Sequence, residues 1–344
     1  MTLNERIDAF IKLGKSLKVR LEKHDKGFEN ILQKTYEHNN WFDPAHCRLA
    51  LRNIAEWLTP ENLNAWTEKY DHNCFLPLKT LRVGVVMAGN IPLVGFHDML
   101  CVLICGHIFI GKLASDDNVL WHFITQELKD INPDFEQVIF LKEVLKEGFD
   151  AVIATGSNNT SRYFYYYFGR YPHIIRHHRN SAAILNGDES LAQLDALADD
   201  ICLYYGRGCR SVSKLFVPQN YNFENLIKAL QKYAHFSNHY KYFSNYEYNK
   251  ALLMINKVPF MDTGFMLLVE NEALASPVSV LNYSFYKNMD EVADALQGQK
   301  DALQCCVAAT EISWHDVVLP GHSQSPLLWD YADNTDTIRF FSKI

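Results

Sequence analysis

From Leu81 onward, short apolar runs of strand length alternate with segments of helix length, and this alternation restricts the chain more than any other feature. Leu81 to Ala88 is the first run. It closes at Gly89-Asn90-Ile91-Pro92, and an apolar helical segment follows to about Cys105. Ile108–Lys112 is the next strand, Asp117–Asp130 the next helix, then Val138–Leu141 and Ala151–Ala154. The last of these ends in Thr155-Gly156-Ser157 before a helix over Asn159–Phe168, with further strands near Ile174 and over Ala182–Leu185. Apolar strands separated by helices predict an α/β, doubly wound parallel sheet covered on both faces. Such sheets bind ligands at the carboxyl ends of their strands. Asn90, Lys112, Gly156 and Ser157 all stand at such ends.

The second half repeats the texture. A helix is expected over Leu191–Leu203, strands over Ser213–Val217, Thr263–Val269, Val278–Tyr283 and Leu303–Ala309, and helices over Phe223–Tyr233 and Asp290–Leu296. Tyr240–Tyr248, rich in tyrosine and asparagine, has no clear period and is expected as a loop. Thr337–Phe341 is expected as a short closing strand. Residues 1 to about 78 show apolar positions at helical spacing, with Ile7, Phe10, Ile11, Leu13, Leu17 and Leu21 as the first set. Thr59-Pro60-Glu61 is a helix start, with proline at the first helical position. The expected division is a helical segment over 1–80, a cofactor domain over 81–205, a catalytic domain over 206–318 and a return segment over 319–344.

A formal net charge of -7 argues against a nucleic-acid partner. No apolar run is long enough to span a bilayer; Met99 to Ile110 is the longest candidate and contains His107. The polar N-terminus lacks the apolar core of a signal peptide, so the eight cysteines read as reduced cytoplasmic thiols. No C-x-x-C pair is present, and no cysteine or carboxylate stands at ligand spacing beside His177-His178, so no metal is expected. Cys101, Cys105, Cys305 and Cys306 lie in apolar runs and read as packing residues.

Cys209 is different. It sits in Gly206-Arg207-Gly208-Cys209-Arg210-Ser211, on a loop from a helix into a strand. Glycines there allow close approach of backbone or ligand, and Arg207 and Arg210 favour the thiolate, the reactive form of the side chain. Cys209 is therefore a candidate nucleophile, although a small core cysteine has the same composition. Asn90 can donate its side-chain amide to an oxygen or serve as a turn residue. Lys112 can meet a phosphate or end a strand in solvent. Gly156-Ser157 can receive a pyrophosphate at a helix N-terminus or simply cap it. The residues near Tyr163 to Phe168 can line an acyl tunnel or pack on the sheet. The G-x-G-x-x-G fingerprint is absent.

Taken in order, these residues resemble the aldehyde dehydrogenase superfamily, and within it the acyl-CoA reductase branch, the family of the fatty-acid reductase of bacterial luminescence. The resemblance lies in Asn90 to Pro92, Lys112, Thr155 to Ser157, Gly206 to Cys209, Ser276-Pro277-Val278 and Pro320-Gly321-His322-Ser323-Gln324, and spans about residues 81 to 344. It implies two doubly wound α/β domains with a helical N-terminal extension, an acyl-enzyme on Cys209, and an oxyanion held by Asn90 and the Cys209 backbone N–H. It also implies a dinucleotide bound by Lys112, Ser115, Gly156, Ser157 and Glu272. Glu272 stands about one residue from the family's cofactor glutamate.

Two departures carry expectations of their own. Oxidising relatives have a glutamate in a Glu-Leu-Gly-Gly segment that activates water; the corresponding stretch here, Ile175 to Ser181, has no carboxylate. A site without that base should hydrolyse a thioester poorly and still reduce one from acyl-CoA or acyl carrier protein. Ser115 replaces the acid expected three residues after Lys112, which favours NADPH, with NADH as the other choice. The chain is shorter than typical relatives, which puts the family's oligomerisation hairpin in doubt and leaves a homo-oligomer open. A cysteine acyltransferase or thioesterase, or a non-catalytic assembly subunit, would use the same fold.

Overall fold

The computed structural model of the chain describes every residue except 24, 310, 311, 313, 315 and 316, and the side chain of 158. It divides into two compact units, Met1–His178 with Leu327–Ile344, and Arg179–Pro326.

The first unit opens with four helices, α1 (Leu3–Lys23), α2 (Lys26–His38), α3 (Pro44–Trp57) and α4 (Pro60–Thr67). Thr59 caps α4 as its sequence predicts, its hydroxyl accepting from the Asn62 N–H. The alternating segment follows: β1 (Arg82–Val86), α5 (Phe96–Ile104), β2 (Ile108–Lys112), α6 (Val119–Ile131), β3 (Ile139–Lys142), β4 (Ala151–Thr155), α7 (Asn158–Phe168) and β5 (His173–Arg176). All five strands are parallel, in the order β3-β2-β1-β4-β5. Strand alternation divides the two cores. Val83 and Val85 of β1 face a large cluster built by α1–α6, while Val86 faces Phe149, Val152, Ala154 and Phe168 on the other side. On that second face Gly84 lets the Leu145 side chain close over β1, since a Cβ there would stand 2.7 Å from its Cδ2.

The second unit holds β6 (Asn180–Ile184), α8 (Leu191–Cys202), β7 (Val212–Pro218), α9 (Glu224–Leu230), α10 (Tyr240–Ile255), β8 (Phe260–Asp262), β9 (Leu267–Glu270), β10 (Val280–Tyr286), α11 (Met289–Gly298), β11 (Leu303–Ala308) and β12 (Val317–Val318). Its sheet runs β12-β11-β6-β7-β10-β9-β8 and is parallel except for the β8–β9 hairpin. Val292 and Leu296 of α11 pack with Ala182, Phe216 and Cys306. The chain then returns to the first unit as α12 (Thr337–Phe341).

Three local expectations are corrected. Tyr240–Tyr248 is not a loop but the start of α10. Its buried positions, Tyr242, Tyr246 and Asn249, do recur at helical spacing, but tyrosine and asparagine conceal that period from an apolar count. Thr337–Phe341 is a helix rather than a strand: the Asp336 carboxylate accepts from the Arg339 N–H, and Ile338 and Phe341 share the buried face. Thr263–Val269 is not continuous, since Gly264 at φ 90° bends the chain between β8 and β9.

Candidate active site

Cys209 lies between α8 and β7, on a loop with an unusual entry. Tyr204, Tyr205 and Gly206 occupy the left-handed region in succession, at φ 56°, 58° and 69°. A bulky residue there is an outlier that costs about 1–3 kcal/mol, and such strain collects at functional sites. Packing holds it: the Tyr205 ring lies 4.5 Å from both Phe236 and His239, centroid to centroid. Beyond the entry, the Gly208 N–H donates to the Ser211 hydroxyl at 3.2 Å, and the Ser211 N–H to the Gly208 carbonyl at 3.0 Å. The Ser181 hydroxyl donates to the Cys209 carbonyl at 3.0 Å. The return segment Pro320 to Gln324 closes around this loop. Asp200, fully buried on α8, accepts from the Gly321 and Ser323 N–H groups at 2.6 and 2.9 Å, and the Gln324 amide donates to Ser211 Oγ at 3.1 Å.

Cys209 itself is half-buried and in no disulfide. Burial pushes the thiols of Cys47, Cys101, Cys105, Cys202 and Cys305 upward, which keeps them protonated and unreactive. Cys101, Cys105, Cys305 and Cys306 are core residues, as their apolar settings predict.

Asn90, Lys112, Ser115, Gly156 and Ser157 belong to the first unit, at the carboxyl ends of β1, β2 and β4. The turn after β1 is pressed against the loop after β2, so that a Cβ on Gly89 would stand 2.5 Å from that of Ala114. Half-buried Asn90 is carried on this turn. Beneath it, Asp117 accepts from the Leu93 N–H at 2.8 Å and the Trp121 indole at 3.1 Å, with Leu93 itself at φ 56°. Asp117 Oδ1 is buried without a partner.

Burial pushes the Asp117 carboxyl up to about 7, against the pull of its two hydrogen bonds. An unfolded aspartate loses its proton near pH 4, whereas the folded one keeps it to about 7. The folded state thus binds the extra proton across this window, and stability falls as pH rises through it. That difference corresponds to about 4 kcal/mol. Asp117→Asn cannot ionise and keeps an acceptor for both donors, but leaves a buried amide N–H unpaired at about 1–3 kcal/mol. The variant is expected to be about 2 kcal/mol more stable than the parent at pH 8 and less stable at pH 4, by urea denaturation. The same difference at both pH values would contradict this assignment.

Ser115 is exposed, and its hydroxyl donates to Asp116 at 3.2 Å. The loop is held from α2 and the residue after it: the His38 ring nitrogen pairs with the Ser115 carbonyl at 2.6 Å, and the Asn39 amide donates to that of Asp116 at 3.4 Å. Ser157 caps α7 through the Thr160 N–H at 3.2 Å. A Cβ on Gly156 would stand 2.8 Å from Phe164, so glycine permits the helix to approach the sheet. Phe164 and Phe168 supply the packing face of α7, while Tyr163, Tyr165, Tyr166 and Tyr167 are exposed, which fits packing rather than a closed tunnel. Glu272 is exposed after β9 in the second unit. Its charge and that of Glu270 act on Lys214 of β7, whose Nζ donates to the Asn271 carbonyl; burial nevertheless pulls Lys214 down to about 8.

The stretch from Ile175 to Ser181 contains a buried cation and no carboxylate. Arg176 Nη1 pairs with Asp98 of α5 at 2.6 Å, while His177 and His178 are exposed. Three residues of the site escaped sequence reasoning. Asp200 leaves a signal, a carboxylate on the buried stripe of Leu194, Leu197 and Ile201. Asp117 and Ser181 leave none.

The family model described as acyl-CoA reductase (LuxC) matches residues 24–314. No curated protein sequence matches the chain. Among solved structures, glyceraldehyde-3-phosphate dehydrogenase GapN from Methanocaldococcus jannaschii, complexed with NADP, superposes with a TM-score of 0.63 at 13% identity, covering 94% of this chain and 82% of that one. A putative aldehyde dehydrogenase from Burkholderia cenocepacia gives 0.61 at 13% identity, with 91% and 76% covered. The NAD+ complex of aldehyde dehydrogenase from Bacillus cereus gives 0.61 at 15%, with 91% and 73% covered. At these identities the likeness is one of fold, the aldehyde dehydrogenase fold.

Proposed function

The chain belongs to the acyl-CoA reductase (LuxC) family and is an oxidoreductase of acyl groups; from that premise we propose that it reduces an acyl thioester, carried on coenzyme A or acyl carrier protein, to the free aldehyde through a Cys209 acyl-enzyme, with NADPH as reductant. The observation that carries this reading is the Cys209 loop: a half-buried thiol beside Arg207 and Arg210, on a strained connection tied to the sheet and to the return segment, in a chain whose other thiols are mostly sealed. Functionally, the first unit is then the cofactor domain and the second the catalytic one.

The Cys209 thiolate attacks the thioester carbon. The new carbon–sulfur bond forms as the bond to coenzyme A breaks, and the departing thiolate takes a proton from solvent. Asn90 and the Cys209 backbone N–H are assigned to the oxyanion, and one such donor is worth about 3 kcal/mol. The residues assigned to the dinucleotide are Lys112, Ser115, Gly156, Ser157 and Glu272. Lys112 fits an anion, since its ammonium has no carboxylate partner among the described residues. When bound, the cofactor supplies the hydride, and the protein supplies alignment. Cys209 then regains its thiolate as the aldehyde leaves. The stretch from Ile175 to Ser181 offers no carboxylate to activate water, which protects the acyl-enzyme from hydrolysis.

Among the described residues no helix is long and apolar enough to cross a membrane. Eight thiols without a disulfide suit the reducing cytoplasm.

The direct test is the intact mass after exposure to a long-chain acyl-CoA without nicotinamide. An acyl adduct is expected, and NADPH should clear it with release of aldehyde. Coenzyme A release without NADPH oxidation would replace this reading with an acyltransferase or thioesterase. Asn90→Ala is expected to lower turnover by about 100- to 1000-fold while Cys209 remains open to alkylation. Unchanged turnover would remove Asn90 from the oxyanion role.

A further inference from the structure

We infer that Asp117 is a positioning residue for the oxyanion donor, holding the turn after β1 so that the Asn90 amide is carried in one fixed place. The inference rests on the oxyanion role proposed for Asn90, and its test separates the two.

Asn90 stands between two anchors, and the loop after β2 supplies both. On one side Gly89 is pressed against Ala114, whose Cβ would stand 2.5 Å from a Cβ on the glycine. On the other, the Leu93 N–H donates to Asp117 Oδ2 at 2.8 Å. The chain between these anchors is stiff, because Pro92 fixes its own φ and restricts Ile91 before it. A displacement at Leu93 is therefore passed on to Asn90 instead of being absorbed. Leu93 is 2% exposed and lies at φ 56°, a conformation that leucine rarely adopts and that its surroundings must hold. The anchor is itself braced, since the Trp121 indole of α6 donates to the same carboxylate oxygen at 3.1 Å. Asp117 is 2% exposed, and its other oxygen is buried without a partner. Ionising such a carboxyl destabilises the fold, so packing alone does not account for an aspartate here. An acceptor placed at the Leu93 N–H does. The adjoining Asp116 is exposed and accepts from the Ser115 hydroxyl instead.

The test is a double-variant cycle on the full chain, read by acyl-CoA-dependent NADPH oxidation. Asp117→Leu removes the acceptor and is expected to lower kcat by about 10- to 100-fold, the cost of moving a catalytic group by about 1 Å, with KM for acyl-CoA little changed. Alkylation of Cys209 should keep its rate, since it uses no oxyanion donor. In an Asn90→Ala background the same substitution should cost less than about twofold, because the group it positions is already gone. Asp117→Asn keeps an acceptor for both donors and should turn over close to the parent rate. Deuterium uptake over Ala88 to Gly95 should rise in Asp117→Leu and stay low in Asp117→Asn. A full loss repeated in the Asn90→Ala background, or unchanged uptake in Asp117→Leu, would overturn the inference. So would a slow Asp117→Asn, an arm that decides even where Asp117→Leu fails to fold. Normal turnover of Asn90→Ala would sink the oxyanion role and the inference with it. A slow Asn90→Ala beside a normal Asp117→Leu would sink the inference alone.

Discussion

Cys209→Ala is expected to abolish the acyl adduct and to lower acyl-CoA-dependent NADPH oxidation by a factor on the order of 10^5, the size of effect seen when a nucleophile is deleted from an enzyme that acts through a covalent intermediate. Folding should be nearly untouched. The loop is tied to the second unit through the Ser181 hydroxyl on the Cys209 carbonyl, the Gly208–Ser211 turn and the Gln324 amide on Ser211. Alanine preserves all of these, so the variant should stay folded and lose no more than about 1 kcal/mol of stability. The pairing of the two results is the informative part: activity gone, unfolding temperature retained. An adduct that persists in the variant, found by peptide mapping on another cysteine, would move the nucleophile elsewhere. Cys74 is the next thiol to examine, since it too is only half-buried.

The alternation of apolar strand and helix was legible from Leu81 to Leu185 because the first sheet's strands are apolar through their middles and place their polar residues, Arg82, Lys112, Lys142, Thr155, His173 and Arg176, at their ends. The carboxyl ends followed from that alternation, and with them Asn90, Lys112 and Gly156. Irregular backbone was less legible. Glycine at 206 announces a left-handed residue, but Tyr204 and Tyr205 share that conformation, and Tyr205 is held there by packing on Phe236 and His239, which lie some thirty residues later. Helices built on polar residues were missed for the same reason that α10 was read as a loop. Tyr242 and Tyr246 bury aromatic area while counting as polar.

The second large effect concerns the stretch that lacks a catalytic carboxylate. Arg176 and Asp98 are 4% and 6% exposed, and their atoms meet at 2.6 Å. Burial acts to lower the Arg176 pKa, but the adjoining Asp98 carboxylate outweighs it and holds the guanidinium above its ordinary value. The second arm of the guanidinium reaches Thr337 of α12 at 3.4 Å, so the pair ties the end of β5 to the returning tail within the first unit. Removing one member of a buried pair strands the other, a loss of about 3–5 kcal/mol. Arg176→Ala is therefore expected to lower the unfolding temperature by on the order of 10 °C. Combining it with Asp98→Leu should recover most of that loss, because no buried charge is then left alone. Below the lowered transition, Cys209 in the variant should still accept an acyl group, since its loop is held by Ser181, Ser211 and Gln324 of its own unit. An unfolding temperature within a degree or two of the parent would show that the pair does not hold the tail. Loss of the adduct in a folded variant would instead give Arg176 a part in the chemistry.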